Sequence, residues 1–310
     1  MPFNKLSTKE KTTSVQRREF LRNAGLSALG LYLLPSDLFG KNALDKAAAN
    51  AKLSMQLYTV RDELSKDIPG TLKKLKDIGF NFVETAFWPK AVTIKHAAKY
   101  LKDAGLEVSS VHIEIPVGDK KQIMLETAEA FNCKKMIWHG WPEDKRYSSL
   151  DGTKELANIY NEANAFAKAN GLQFGLHNHW WEFRNKVDDK YVYEVLLENL
   201  DTDIFFELDT YWIKVAGHDP AAIITKFGKR VKLLHIKDGP AQWHPSLADD
   251  NPDPMTPVGK GTQNIPAIVA AAKDNVEWMV IEMDKVSIDV FEALKESYKY
   301  LTDNKMVKTK

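Results

Sequence analysis

The chain has a single cysteine, Cys133, in 310 residues. No internal disulfide and no thiolate-built metal centre can form from it. A lone cysteine in an apolar stretch fills core far more often than it attacks a substrate. Charge of one sign is also missing. With 43 basic and 42 acidic residues the formal net charge is +1, which excludes the electrostatic footprint of a nucleic-acid binder or of a protein held on an acidic membrane. The turn after the first predicted strand, Tyr58-Thr59-Val60-Arg61-Asp62, has no glycine, unlike the phosphate-binding turn of a dinucleotide fold. No linker and no low-complexity stretch divides the region after residue 51.

What is present is globular: 44% hydrophobic and 27% charged residues, enough for one large domain or two small ones. The first 51 residues read differently. Ser14-Val15-Gln16-Arg17-Arg18-Glu19-Phe20-Leu21 is similar to a twin-arginine export signal. An apolar run over 24–34 follows, broken by Gly25, Ser27 and Gly30 and too short for a permanent bilayer span. Small residues at Ala47-Ala48-Ala49-Asn50-Ala51 suit a cleavage region. The order of these features predicts export to the periplasm with no permanent membrane anchor, residues 1–51 being signal and linker and 52–310 the working domain.

From Lys52 onward a strand-then-helix alternation repeats. β-Branched and aromatic runs predict eight strands at 53–59, 81–88, 107–115, 135–141, 173–179, 204–210, 231–237 and 278–284. Between them lie apolar stripes at helical spacing, such as Leu72, Leu75 and Ile78, or Leu156, Tyr160 and Ala163. Eight such units in about 250 residues predict a (β/α)₈ barrel, an α/β fold of the TIM type. The longest connection, 238–265, follows the seventh strand, and a loop of that length in a compact domain usually serves function, often as a lid.

Acids and imidazoles close four of these strands: His177 and His179, Glu207 and Asp209, His235 and Lys237 with Asp238, and Glu282 and Asp284. Alternation puts residues two apart on one strand face, and barrel enzymes gather ligands at strand carboxyl ends. Burying several like charges without a cation is very unfavourable. Carboxylates with one imidazole make a hard site for one divalent ion, Mn²⁺, Mg²⁺, Co²⁺ or Zn²⁺.

On these residues the chain resembles the xylose-isomerase-like barrel superfamily, in particular its sugar phosphate isomerase/epimerase branch. The resemblance spans about residues 52–302. It rests on His177-Asn178-His179-x-x-Glu182-Phe183, Leu208-Asp209-Thr210-Tyr211-Trp212, Leu234-His235-Ile236-Lys237-Asp238, Val258-Gly259-x-Gly261 and Ile281-Glu282-Met283-Asp284. It implies one divalent ion held by a Glu, an Asp, a His and a Glu on the last four strands. Asp209, His235 and Glu282 match. The fifth strand carries His177 in place of Glu, so either Glu182 folds back to ligate, which is the favoured reading, or His177 replaces the carboxylate. Trp212 stands where endonuclease IV, which shares the barrel, has an extra zinc-ligating histidine, which argues against DNA repair.

The resemblance implies an isomerase or epimerase that takes a proton beside a carbonyl, with a small-molecule carbohydrate as partner. Export points to a non-phosphorylated sugar or keto-glycoside. Glu282 or Glu182 is the expected base, with His177, His179 or Lys237 moving protons to oxygen. Trp212, Trp181, His112, His139, Glu84 and the loop residue His244 are the expected substrate contacts. Two alternatives remain open: a lyase or hydrolase cleaving a 3-keto-glycoside by β-elimination, which needs only one carbon base, and a sugar-binding protein without catalysis. The Val258-Gly259-Lys260-Gly261 turn is a candidate phosphate cradle. Oligomeric state is not legible.

Overall fold

The computed structural model describes residues 50–86, 88–247, 252–272 and 275–310. The expected export signal lies outside the described residues except for Asn50 and Ala51. Eight parallel strands close into a barrel: β1 (Lys52–Gln56), β2 (Phe82–Thr85), β3 (Glu107–Ile113), β4 (Lys135–Trp138), β5 (Gln173–His177), β8 (Phe205–Asp209), β9 (Val231–Ile236) and β10 (Trp278–Ile281), in the cyclic order β1-β10-β9-β8-β5-β4-β3-β2. The remaining strands, β6 (Lys186–Val187) and β7 (Lys190–Tyr191), form a small antiparallel hairpin outside it.

Helices cover the wall, among them α1 (Arg61–Lys66), α2 (Ile68–Ile78), α3 (Ile94–Asp103), α4 (Lys120–Phe131), α5 (Leu150–Ala169), α6 (Trp181–Arg184), α7 (Val192–Asn199), α8 (Thr210–Val215), α9 (Pro220–Phe227), α10 (Ile265–Ala272) and α11 (Val290–Asp303). Their apolar stripes account for the contacts: Leu72 and Leu75 of α2, Leu156 and Tyr160 of α5 and Leu294 of α11 are buried against the outer strand faces. Side chains start the helices as well. Asp67 accepts from Gly70 N before α2, and Ser149 accepts from Gly152 N before α5.

Each barrel strand begins within a residue of its sequence expectation and ends one to three residues sooner. The physical reason is that alternation continues past the last ladder pair. Thr210 already starts α8, and Glu282 to Asp284 lie in the turn beyond β10. The ends of the strands therefore deliver side chains into a mouth rather than into more sheet.

The inside of the barrel is layered. Phe205, Glu207 and Asp209 rise along β8. Leu233, His235 and Lys237 rise along and just past β9, and Val280, Glu282 and Asp284 do so along and past β10. The lowest layer is an apolar plug of Ile137, Phe205, Leu233 and Val280. Gly175 makes room for it: a Cβ there would sit 2.3 Å from the Phe205 ring. Above the plug stand polar side chains, Glu84, Glu207, Asp209, His235 and Glu282 among them.

The described part of the 238–265 loop is anchored. Met255 N donates to Lys285 O at 2.8 Å and Thr256 N to Asp238 O at 3.0 Å, while Met255 and Val258 are buried. The Asp238 carboxylate accepts from Gly239 N, Gly259 N and Gln263 N at 2.8–3.0 Å. The glycine-containing turn thus already holds an anion, the chain's own. Gly261 is required there because a Cβ would lie 2.1 Å from Asp238 Oδ1. The candidate phosphate turn at 258–261 therefore has its Gly259 N–H already taken.

Candidate metal centre

Three candidate ligands from the ends of three neighbouring strands meet at the mouth. Ligand atoms of Asp209, His235 and Glu282 all lie within 4.8 Å of one another, and the residues are 0–2% exposed. Asp209 closes β8 and caps α8: its Oδ1 accepts from Tyr211 N and Trp212 N at 2.9 and 3.0 Å. That use of Oδ1 turns Oδ2 toward the site. Its backbone N–H is fixed in turn by Asn178 Oδ1 at 2.9 Å. His235 Nδ1 is 3.8 Å from Asp209 Oδ2 and 3.7 Å from Glu282 Oε2, too long for hydrogen bonds.

Below this triad lies a second polar layer. His235 Nε2 is 2.8 Å from Glu84 Oε1 and 3.2 Å from Glu207 Oε2. Glu84 also accepts from Gln56 Nε2 at 2.9 Å and from Ser110 Oγ at 2.5 Å. His112 Nε2 meets Glu207 Oε2 at 2.6 Å, and His177 Nδ1 meets it at 3.2 Å. The His112 and His235 rings stack with centroids 5.6 Å apart. Four of these residues, His112, His177, Glu207 and His235, also have metal-ligand spacing. The two groups share His235, so its tautomer separates them. With Nε2–H donated to Glu84, Nδ1 is the nitrogen left for a cation, and it faces Asp209 and Glu282. A carboxylate behind a ligating imidazole is the usual arrangement for orienting such a ligand.

The charges test whether a cation fits. Glu84, Glu207, Asp209 and Glu282 are all at most 2% exposed, and the ammonium group among them is that of Lys237. Buried polar atoms without a hydrogen-bond partner include Glu282 Oε1, Glu207 Oε1 and His235 Nδ1, unfavourable unless something binds them. Burial, reinforced by the Glu207 charge, pushes the Glu84 carboxyl up, and burial does the same to Asp209. For His235, burial works against the cation, but the Glu207 and Glu84 carboxylates outweigh it and hold the imidazole well above its ordinary pKa. The site therefore gathers positive charge wherever it can find it. A divalent ion on Asp209, His235 and Glu282 meets that demand, and oxygen donors with one imidazole suit Mg²⁺, Mn²⁺, Co²⁺ or Zn²⁺.

Lys237 completes the mouth. Its Nζ lies 2.9 Å from Asp209 Oδ2, donates to Asp284 Oδ2 at 2.7 Å and is ion-paired with Glu282 Oε2. Trp212, only 3% exposed, presents its ring 5.5 Å from this ammonium. Burial pushes the Glu282 carboxyl up, but Lys237 and His235 overcome this and bring it down to about 2. Burial and the Glu282 charge raise Asp284 to about 6. Burial drives the imidazoles the other way: His112 and His139 fall to about 4, and His177 and His179 are well below the usual range.

The structure brings Asp209, His235, Glu282, His177, Lys237, His112 and Glu84 together. It does not bring Glu182 among them. Glu182 sits behind β5, where its Oε2 accepts from His179 N at 3.0 Å. It lines an internal cavity of about 20 Å³ with Tyr147, Tyr160 and Trp138, and burial raises its carboxyl to about 8. Its place is explained by the turn: the chain enters α6 at Trp181, and Glu182 points back to close the His177–His179 bend. Trp181 is 0% exposed and stacks on His179 with centroids 4.3 Å apart, so its ring serves the core rather than the mouth. His244 pairs with Asp253 at 2.9 Å within its own loop, and His139 meets Glu114 at 3.4 Å. Glu207 and Asp284 belong to the site although neither was singled out as a ligand or catalyst. The signal was available, since each is two residues from a chosen ligand on the same strand face.

Comparison with known proteins places the fold. A family model described as xylose isomerase-like TIM barrel matches residues 72–304. An inosose dehydratase from Clostridium beijerinckii is 23% identical over 281 residues, covering 86% of this chain and 91% of that protein. A crystal structure of a sugar phosphate isomerase/epimerase from Parabacteroides distasonis superposes with a TM-score of 0.67 at 25% identity, covering 83% of this chain and 100% of that one. The IOLI protein, crystallised with a bound zinc atom, superposes with a TM-score of 0.59 at 14% identity, covering 82% of this chain and 97% of that one. The chain belongs to the xylose isomerase-like TIM barrel family.

Proposed function

We propose that this protein is a divalent-metal-dependent enzyme acting on a non-phosphorylated keto-sugar. It removes the proton beside the carbonyl and expels the substituent from the next carbon. The observation that carries this reading is the buried Asp209–His235–Glu282 cluster, with Lys237 beside it and no fifth-strand carboxylate in it. Bound there, a divalent ion supplies Lewis acidity toward the substrate's carbonyl oxygen.

The chain's own groups divide the remaining work. His177 occupies the place where a second carboxylate would stand, and burial keeps its imidazole neutral, so it accepts the proton from carbon. The electrons of that C–H bond form the new C=C bond, and the C–O bond on the neighbouring carbon breaks. Lys237, paired with Asp284, donates the proton that the leaving oxygen takes up. One base and one acid suffice for elimination, and that asymmetry is what the mouth offers. The similarity to an inosose dehydratase points the same way. Absence of phosphate from the substrate is supported by the glycine turn, where Gly259 N–H donates to Asp238, Val258 N–H to Ser297 and Lys260 N–H to Pro257.

Isomerisation or epimerisation of the same sugar is the second reading. It is favoured by His177 and Glu282, which stand on β5 and beyond β10, three places apart around the barrel, and present a proton acceptor from each side. The experiment reconstitutes chelator-treated protein with Mg²⁺, Mn²⁺, Co²⁺ or Zn²⁺ and supplies 3-keto-glycosides and inososes in D₂O. Metal-dependent release of aglycone or water supports elimination. Deuterium at one carbon with every C–O bond intact supports epimerisation. Failure to bind any divalent ion after reconstitution ends both readings.

We also propose that residues 1–51 direct export through the Arg17-Arg18 pair. Replacing both arginines by lysine should trap the chain in the cytoplasm, and unchanged periplasmic recovery would refute this.

A further inference from the structure

The mouth holds more than a ligand set. Lys237 is 1% exposed, and its ammonium reaches two of the three residues that would hold the divalent ion, Asp209 and Glu282. Asp209 Oδ2 and Glu282 Oε2 are the oxygens nearest His235 Nδ1, so a divalent ion held by the triad would compete with the ammonium for the same two carboxylates. Two cations cannot share them at close range: like charges a few ångströms apart in a low-dielectric interior repel strongly. Lys237 has a third partner, Asp284, at 2.7 Å. Asp284 is outside the triad and its side chain is 20% exposed. It lines a polar cleft of about 300 Å³ together with Arg61, Asp62 and Asp289. The ammonium thus has somewhere to go that keeps it paired and lets it approach water.

We propose that Lys237 is a built-in counter-ion, which neutralises Asp209 and Glu282 while the site lacks a divalent ion and moves onto Asp284 alone when one binds. The inference rests on the metal reading of this site and adds to it a gate. Without the lysine, an unloaded barrel would bury bare carboxylates, a strongly destabilised arrangement. With it, the fold survives unloaded, and the divalent ion must displace an internal competitor. Apparent affinity then falls by the fraction of molecules whose ligands are free. The displaced ammonium, tied to Asp284 at the edge of the cleft, stands as the proton donor for the leaving oxygen, so loading and arming are one event.

The test uses the full domain and Mn²⁺ alone as the probe, read by calorimetry, with Asp209→Asn as the control for the metal reading. Lys237→Met keeps the length of the side chain and removes its charge. It should bind Mn²⁺ about tenfold more tightly than the wild type, while the metal-free form melts at a lower temperature. Removing a positive charge would tighten binding somewhat even if the lysine never moved, so Asp284→Asn separates the two. In the wild-type background it should weaken Mn²⁺ binding several-fold, because the displaced ammonium loses its only partner. In the Lys237→Met background it should change little, a coupling that a double-mutant cycle isolates. Equal effects of Asp284→Asn in both backgrounds overturn the proposal. So does a crystal structure of the Mn²⁺-loaded protein in which Nζ still contacts Asp209. If Lys237→Met does not fold, that structure decides alone. If neither wild type nor Lys237→Met binds Mn²⁺, it is the metal reading that fails, and a wild type that binds where Asp209→Asn does not leaves that reading standing whatever the cycle shows.

Discussion

The two polar layers inside the barrel are built from the same residue types and behave differently. In the deeper one, Glu84 accepts from Gln56, Ser110 and His235, and His112 lies between Glu84 and Glu207. Most of its groups have a protein partner, Glu207 Oε1 and His177 Nδ1 being exceptions, so this layer is largely a frame. In the upper one, His235 Nδ1 and Glu282 Oε1 have no hydrogen-bond partner, and the Asp209 and Glu282 charges lean on one lysine. A buried acid cluster that its own neighbours satisfy is structure. One that they leave short of positive charge is a receptor for it. His235 belongs to both, with one nitrogen in each layer.

The largest effect that would sharpen this contrast is at Asp209. Asp209→Asn keeps an oxygen for the α8 cap while removing a ligand charge. A four-ligand structural zinc site is worth about 10–16 kcal/mol, which puts one ligand at about 3 kcal/mol. Divalent-ion affinity should therefore fall by roughly a hundredfold in calorimetry, with the circular dichroism spectrum unchanged. Retained affinity would place the ion in the deeper layer instead. Glu84→Gln comes next. It touches no ligand oxygen of the triad, yet it loosens the imidazole behind it, so affinity should drop about tenfold to a hundredfold. An unaltered affinity would show that the frame does not orient His235.

A third test lies outside both layers. Burial holds Glu182 at about 8, above its unfolded value of about 4.3. The folded chain then binds the extra proton between those values, so this group's stability contribution is full below the unfolded value and is lost as pH rises through about 8. Glu182→Gln keeps an acceptor for His179 N and removes the titration. Metal-free protein carrying it should gain roughly 1–3 kcal/mol over wild type at pH 9 and little at pH 5 in urea unfolding. Parallel profiles would mean that Glu182 is ionised in the fold and acts elsewhere. The smallest expected effect is at the anchored loop. Gly261→Ala pushes a methyl into Asp238 and should lower stability by about 1–3 kcal/mol, while divalent-ion affinity stays within about twofold. A large loss of affinity would tie that loop to the mouth after all.

Eight strands, their order along the chain and the helical stripes between them were legible because period-2 and period-3.6 patterns are local. Asp209, His235 and Glu282 were legible for the same reason, as each ends a strand and alternation tells which way it faces. The places of Glu182 and Trp181 were not legible, because position after a strand end does not say whether a turn folds into the mouth or behind it. Glu207 lay on the same strand face as Asp209, yet its partners, His112 on β3 and His177 on β5, are 95 and 30 residues away. Local periodicity carries no information about such pairings.

The sequence by itself determined the barrel and which strands would supply the ligands, since backbone alternation and hydrophobic period act over a few residues at a time. Only the tertiary structure decided which nitrogen of His235 faces which carboxylate, that Asp238 takes the Gly259 N–H of the glycine turn, and that Lys237 reaches Asp209 as well as Glu282 and Asp284. Those outcomes depend on angles between elements far apart in the chain, and only closure of the barrel sets them.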